Sequence, residues 1–153
     1  MVSFEHLKAR EIAGKSVWLS VPQVTDAARL KLLPATDANP GYQNGLLRMA
    51  GSRLRKTAAR GAKSIDVEQS REDDRLLYAR HVVVGWEGIE DAEGQPVPFS
   101  REVAEEFLAV LPAWIFDRIR IFAMVPENFL NADEPVVDTR ALAGNSGSGS
   151  SGS

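Results

Sequence analysis

The chain has 153 residues, 44% of them apolar and 25% charged, and its 18 basic and 21 acidic side chains leave a net charge of −3. A chain of this length can bury roughly 70% of its unfolded surface in a single domain, and the acidic balance excludes a surface built throughout to coat nucleic acid. The absence of cysteine excludes disulfide scaffolds, thiolate nucleophiles, iron–sulfur clusters and cysteine-ligated zinc.

No apolar run approaches the roughly 18–20 residues that span a bilayer, and the opening MVSFEHLKAREIAGK carries charges where a signal peptide needs its apolar centre. A soluble, unsecreted protein is expected. From Ser3 to Ala13, Phe4, Leu7 and Ile12 recur at near-helical spacing, with Ser3 as N-cap and Gly14 as stop, which predicts a short helix. Ser16–Val21 and Ala28–Leu33 alternate apolar and polar residues, so two strands joined through Pro22–Ala27 form a hairpin.

Asn39-Pro40 is a helix start, because Asn39 can cap free amides and Pro40 gives up an N–H that would be unpaired at the first position anyway. The helix runs to about Arg60 with Tyr42, Leu46, Met49 and Leu54 as its apolar face, and Gly41, Gly45 and Gly51 each weaken it by about 1 kcal/mol relative to Ala. A break near Gly51 is an expectation of that composition. Gly61–Ser64 interrupts the pattern, and a second long helix begins near Asp66, with Leu76, Leu77, Ala79, Val83 and Val84 on its apolar side. The β-branched run at 82–84 is equally compatible with a strand.

Residues 86–89 and 95–99 flank an acidic turn ending in Gly94 and predict a second small hairpin. Ser100 caps a helix over Arg101–Leu111, and Pro112 separates it from another over Ala113–Met124, with Trp114, Ile115, Ile119, Phe122 and Ala123 as its apolar residues. A last short helix is predicted over Pro135–Leu142. Gly144–Ser153, GNSGSGSSGS, has nothing to bury and reads as a flexible tail or an added linker. The fold class is therefore α+β, mainly helical: one globular domain over 1–143, with a hairpin region at 16–38 and a mainly helical part at 39–143.

Catalytic and ligand-binding patterns find no support. His6 and His81 have no partner ligand at metal spacing. No Gly-x-Ser-x-Gly elbow lies between a strand and a helix, and Gly41–Gly45 lacks the Lys-Ser/Thr pair of a phosphate loop. The carboxylates between Glu87 and Glu106 sit in a turn and a first helical turn, where nothing raises a pKa for acid catalysis, and they lack the alternate-ligand spacing of a calcium loop. They read as a solvated face. No catalytic residue, metal or cofactor is expected.

Two features remain for binding. From Arg48 to Lys63 the chain carries Arg48, Arg53, Arg55, Lys56, Arg60 and Lys63 without one acidic residue. Such a stripe can attract phosphate, but no aromatic residue stands beside it to stack on bases, and it serves equally to meet an acidic partner or the acidic 87–106 region of a neighbouring copy. Trp86, Phe99, Phe107, Trp114, Phe116 and Phe122 concentrate the aromatic area in the last third of the chain; most belong in a core, and any left outside is a partner anchor. The candidate partner-binding residues are Trp86, Phe99, Trp114, Phe116 and Phe122 together with Arg53, Arg55, Lys56 and Arg60.

The stretch from Val84 to Glu102, with Gly85-Trp86, Gly88, an acidic turn ending in Gly94, and Pro98-Phe99-Ser100 leading into a helix, resembles the tail assembly chaperones of long-tailed bacteriophages. The amino-terminal hairpin, Asn39-Pro40 with Tyr42, Leu111-Pro112 and Asn128-Phe129 follow the same layout, so the resemblance covers most of residues 16–130. The basic stripe departs from it, whereas the Gly/Ser tail fits, since some members are made in two lengths by frameshifting. The resemblance implies reversible binding, without chemistry or cofactor, of the tape-measure protein and tail-tube subunits in the host cytoplasm, by a protein not retained in the mature virion. The alternatives are a structural tail or head–tail joining protein that stays in the particle, and a small nucleic-acid-binding protein using the stripe at 48–63.

Overall fold

The computed structural model of the protein describes residues 2–60, 67–130 and 136–138. The expected loop at 61–64, the tail at 144–153 and most of the segment 135–142 lie outside the described residues.

The alternation near the amino terminus becomes an antiparallel pair, β1 (Val17–Ser20) and β2 (Arg29–Leu32), with Val17 opposite Leu32 and Leu19 opposite Leu30. All four of these side chains are fully buried, as period-2 alternation requires of a sheet with one core face. On the other face the Arg29 guanidinium lies 4.6 Å from the centre of the Trp18 ring and pairs with Glu87. Before the hairpin, the expected short helix forms over Glu5–Arg10 as a 3-10 helix. Three residues per turn put Phe4 and Leu7 on one exposed edge, and only Ile12, beyond the turn, reaches the core.

Helix α1 (Pro40–Arg60) begins as its sequence dictates: the Asn39 side-chain oxygen accepts from the Tyr42 N–H at 3.2 Å. The Asn39 amide also donates to the carbonyls of Pro34 and His81, at 3.0 and 2.8 Å, so one side chain caps the start of α1 and the end of α2 (Val67–His81). The helix passes through Gly51 without a break, and Leu54, expected inward, is exposed.

Gly41 and Gly45 are contact points rather than weaknesses. A Cβ on Gly45 would stand 2.6 Å from Leu77 Cδ2, and one on Gly41 2.9 Å from His81 Nδ1; the two glycines, one turn apart, let α2 approach the α1 backbone. At Gly51 a Cβ would meet only Arg55, at 3.7 Å. Gly51→Ala should therefore stabilise the protein by up to about 1 kcal/mol, whereas Gly45→Val should destabilise it by about 1–3 kcal/mol through overpacking. Urea denaturation of the two variants decides the matter, and equal effects would sink this account.

Beyond α2 the β-branched run forms β3 (Val83–Glu87), antiparallel to β2 with Leu30 opposite Trp86. It belongs to neither the helix nor a separate hairpin. The acidic turn closes as expected: Gly94 has φ +81°, and the Asp91 side chain accepts from the N–H groups of Glu93 and Gln95, both at 2.9 Å. The second hairpin is reduced to a single bridge between Glu90 and Pro96. Ser100 caps α3 (Arg101–Val110) by accepting from Val103 N–H at 3.2 Å, and Pro112 precedes α4 (Ala113–Ala123).

The predicted helix over 135–142 is corrected at 136–138, where β4 (Val136–Asp138) pairs parallel with β1. The sheet order is β3-β2-β1-β4. A strand of three residues pairing with one more than 100 positions earlier leaves no periodic signal to read. The fold is a mainly helical α+β structure in which one sheet face and the inner faces of the helices share a single core.

Candidate partner-binding surface

The polar helix α2 lies at the centre of the helical layer, and ion pairs tie it to all three other helices. Asp73 accepts from Arg53 of α1 at 2.8 Å, Asp74 pairs with Arg120 of α4 at 2.9 Å, Arg71 reaches Asp117 of α4 at 3.3 Å, and Arg80 meets Glu105 of α3 at 3.0 Å. Burial pushes the Asp74 carboxyl above the usual range against the pull of Arg120 and Arg53. At Asp117 burial acts upward too, but hydrogen bonds from Arg71 and Arg120 outweigh it and hold the carboxyl below its ordinary value. Arg75, buried, donates to the carbonyls of Leu108 and Leu111 at the end of α3 and stacks over Phe116. Orphan carbonyls at a helix end thus find a buried cation.

The Trp86 motif proves architectural. The Trp86 indole N–H donates to Val97 carbonyl at 2.8 Å, and its ring meets Phe99 and Phe107 edge-on, with centroids 5.1 and 5.2 Å away. Gly88 has φ +74° and lies against the backbone of Ala27 and Ala28, and Thr25 donates to its carbonyl at 2.7 Å. Trp86 is buried and Phe99 half-buried, while Phe116 and Phe122 have essentially no exposed surface. These side chains hold the core and the 89–99 loop, so neither Phe116 nor Phe122 offers a contact to a partner.

Of the five aromatic candidates, Trp114 alone stands outside, 54% exposed, with the Arg118 guanidinium 5.0 Å from its ring centre. It is not isolated. Ile121, two turns further along α4, is 66% exposed, Met124 and Val125 follow at the helix end, and Val110, the last residue of α3, is 80% exposed. The inner face of α4 is formed by Ile115, Phe116, Ile119, Phe122 and Ala123. The helix is therefore apolar on two sides, a pattern that ordinarily signals burial all round. A single list of apolar residues conceals this, but a wheel at about 100° per residue separates Trp114 and Ile121 from Ile115, Ile119 and Phe122.

The basic stripe divides. Arg53 is spent on Asp73, whereas Arg48 and Arg55 are exposed and make no ion pair or hydrogen bond among the described residues. The side chains of Lys56 and Arg60, and all of Lys63, lie outside the described residues.

A shallow cleft between α2 and α3 is lined by Arg80, His81, Arg101, Glu102 and Glu105. Burial, and then the guanidinium groups of Arg101, Arg48 and Arg80, hold the His81 imidazole below its ordinary value of 6.5. The folded protein thus favours neutral His81, the unfolded chain takes up the proton first, and this contribution to stability is lost as pH falls from above 6.5 toward the folded value. A proton NMR titration should give His81 a midpoint below 6.5; a midpoint above it would mean that neither burial nor the neighbouring guanidinium charges govern the ring.

Among the described residues, the surface offers a helix that is apolar on two sides and charged edges beside it. The chain belongs to the YdaY prophage protein family, whose model matches residues 37–137. That match takes in α1 to α4 and β3 and leaves the β1–β2 hairpin outside, and it makes this a protein of phage descent. No curated protein and no solved structure matches the chain.

Proposed function

We propose that the protein is a phage tail assembly chaperone, which binds the tape-measure protein and tail-tube subunits in the host cytoplasm and leaves before the virion is complete. The observation that carries this reading is the outer apolar stripe of α4, on which Trp114 and Ile121, two turns apart, are both more than half exposed. A tape measure is a long helical protein whose apolar faces are exposed until the tube encloses them. A helix laid along the α4 stripe would bury apolar surface on both molecules, the helix-on-apolar-surface mode of recognition. The chemistry is association alone, with no bond made and no cofactor. The resemblance of residues 84–102 to this group of chaperones, together with phage descent, supports the same reading.

The test is co-expression with a phage tape-measure protein. The chaperone reading expects that protein to become soluble and to co-purify with this one. Unchanged solubility with no co-purification overturns it. Stoichiometric retention in purified particles would instead identify a structural tail component.

A further inference from the structure

We propose that the cleft between α2 and α3 is an anion site, in which Arg48 of α1, Arg80 and His81 of α2 and Arg101 of α3 receive phosphate, free or as a small monoester. The cleft has a volume of about 460 Å³ and is lined by Arg80, His81, Arg101, Glu102 and Glu105. Arg48 adds a charge from α1. Gly41, Gly45 and Arg48, spaced i, i+4 and i+7, share one side of that helix. The His81 ring lies along the two glycines, where added Cβ atoms would meet its nitrogens at 2.9 and 3.3 Å, and the Arg48 charge acts on the ring.

Most of the donors here are unused. Arg80 gives its Nε–H to Glu105 at 3.0 Å, and Arg101 gives one terminal N–H to the Arg80 carbonyl. The other N–H groups of both, those of Arg48 and both ring nitrogens of His81 make no hydrogen bond among the described residues. Arg48 and Arg101 have no ion pair there either, and Glu102, exposed on the rim, is bonded to none of the three arginines. Burial, and then the charges of Arg101, Arg48 and Arg80, disfavour a proton on His81, so the ring stays neutral until a negative charge enters. A carboxylate has two coplanar oxygens, enough for one guanidinium fork. A phosphate monoester presents three charged oxygens in a tetrahedral array and can accept from each of three helices. The diester of a nucleic-acid backbone, with two free oxygens and one charge, fits less well.

Two charge-assisted hydrogen bonds set Kd for inorganic phosphate at about 1 mM (order of magnitude from). A proton on His81 and an anion in the cleft favour each other, so by reciprocity the anion raises the ring's midpoint by as much as the proton tightens the anion. The proposal does not depend on the chaperone reading: it is measured on the pure full-length protein with no partner present, so an empty cleft leaves that reading standing.

Sulfate, a tetrahedral dianion whose charge is constant through neutral pH, is the first probe. In about 20 mM sulfate, well above such a Kd, the proton NMR midpoint of His81 should lie about one pH unit above that in chloride of equal ionic strength. Arg48→Gln should raise the midpoint without sulfate, because a like charge is gone, yet weaken phosphate binding at least about tenfold. Arg10→Gln removes the same charge outside the cleft and should do neither, while Glu102→Gln should tighten binding. Thermal midpoints near that of the unaltered protein show that each variant is folded. Glycerol phosphate compared with inorganic phosphate tells the two sources apart: tighter binding of the ester assigns the site to a monoester, tighter binding of the ion to free phosphate. Sulfate and chloride acting alike at equal ionic strength overturn the proposal, as does an Arg48→Gln protein that binds phosphate like the wild type. So does a single-stranded oligonucleotide without terminal phosphates that moves the same His81 resonance and binds more tightly than inorganic phosphate, because the cleft would then serve a nucleic-acid backbone.

Discussion

Trp114→Ala should weaken capture of the helical partner by about 30-fold, the loss of about 2 kcal/mol that follows removal of a central aromatic anchor. Trp114→Ala combined with Ile121→Glu should abolish co-purification, since the second change sets a charge in the middle of the apolar contact. Both side chains are more than half exposed, so the folded state loses little: exposed substitutions fall within about 0.5 kcal/mol, or about 2 °C in a domain of this size. Pull-down and thermal melting of the same preparations separate the two effects. Undiminished capture by the double variant would remove α4 from the binding surface; a large drop in melting temperature would reassign Trp114 and Ile121 to the core.

Gly88→Ala should be the most damaging single change in the motif. A Cβ there would lie 2.3 Å from the Ala27 carbonyl oxygen and 2.5 Å from its carbon, both main-chain atoms that cannot swing aside, and the residue has φ +74°. The left-handed conformation alone costs roughly 1–2 kcal/mol for a residue with a side chain; with the backbone displacement added, the total should exceed about 3 kcal/mol. Gly94→Ala is the control, for Gly94 also has positive φ but open space around it, and it should lose only the conformational part. Chemical denaturation distinguishes them, and equal losses would mean that the close approach of the 86–88 segment to the hairpin is not what fixes Gly88.

This explains which parts of the molecule could be read from sequence. Helix starts are local: Asn39-Pro40 and Ser100 specify caps through atoms within three residues, and both caps form. The buried side of β1 and β2 is equally local, because strict alternation assigns a face to every residue. What failed depended on distant partners. Gly41 and Gly45 look like helix weaknesses until α2 is laid against them; the one-turn spacing of two glycines is the signal that could have shown it. Leu54 satisfies the periodicity of α1 yet faces outward, and Val136–Asp138 becomes a strand only because β1 offers an edge.

The candidate site was legible in part for the same reason. The concentration of aromatics in the last third of the chain points to the region that holds the exposed Trp114. Sequence does not sort Phe116 and Phe122, which are buried, from Trp114, which is not, because apolar residues on both sides of α4 satisfy the same pattern. Nor does it show that Ile121, Met124, Val125 and Val110 are exposed. Among the basic residues, nothing near Arg53 in sequence announces Asp73, 20 positions later, as its partner.

The guanidinium 5.0 Å from the Trp114 ring centre bears on how that exposed ring meets water. Arg118 sets over one face of the half-exposed indole a group that water solvates readily. A cation held on an exposed ring by roughly 0.5–1 kcal/mol is lifted by any ligand that gains more. Under the proposed function, a partner helix would displace Arg118 from the ring at a cost smaller than one decade of affinity.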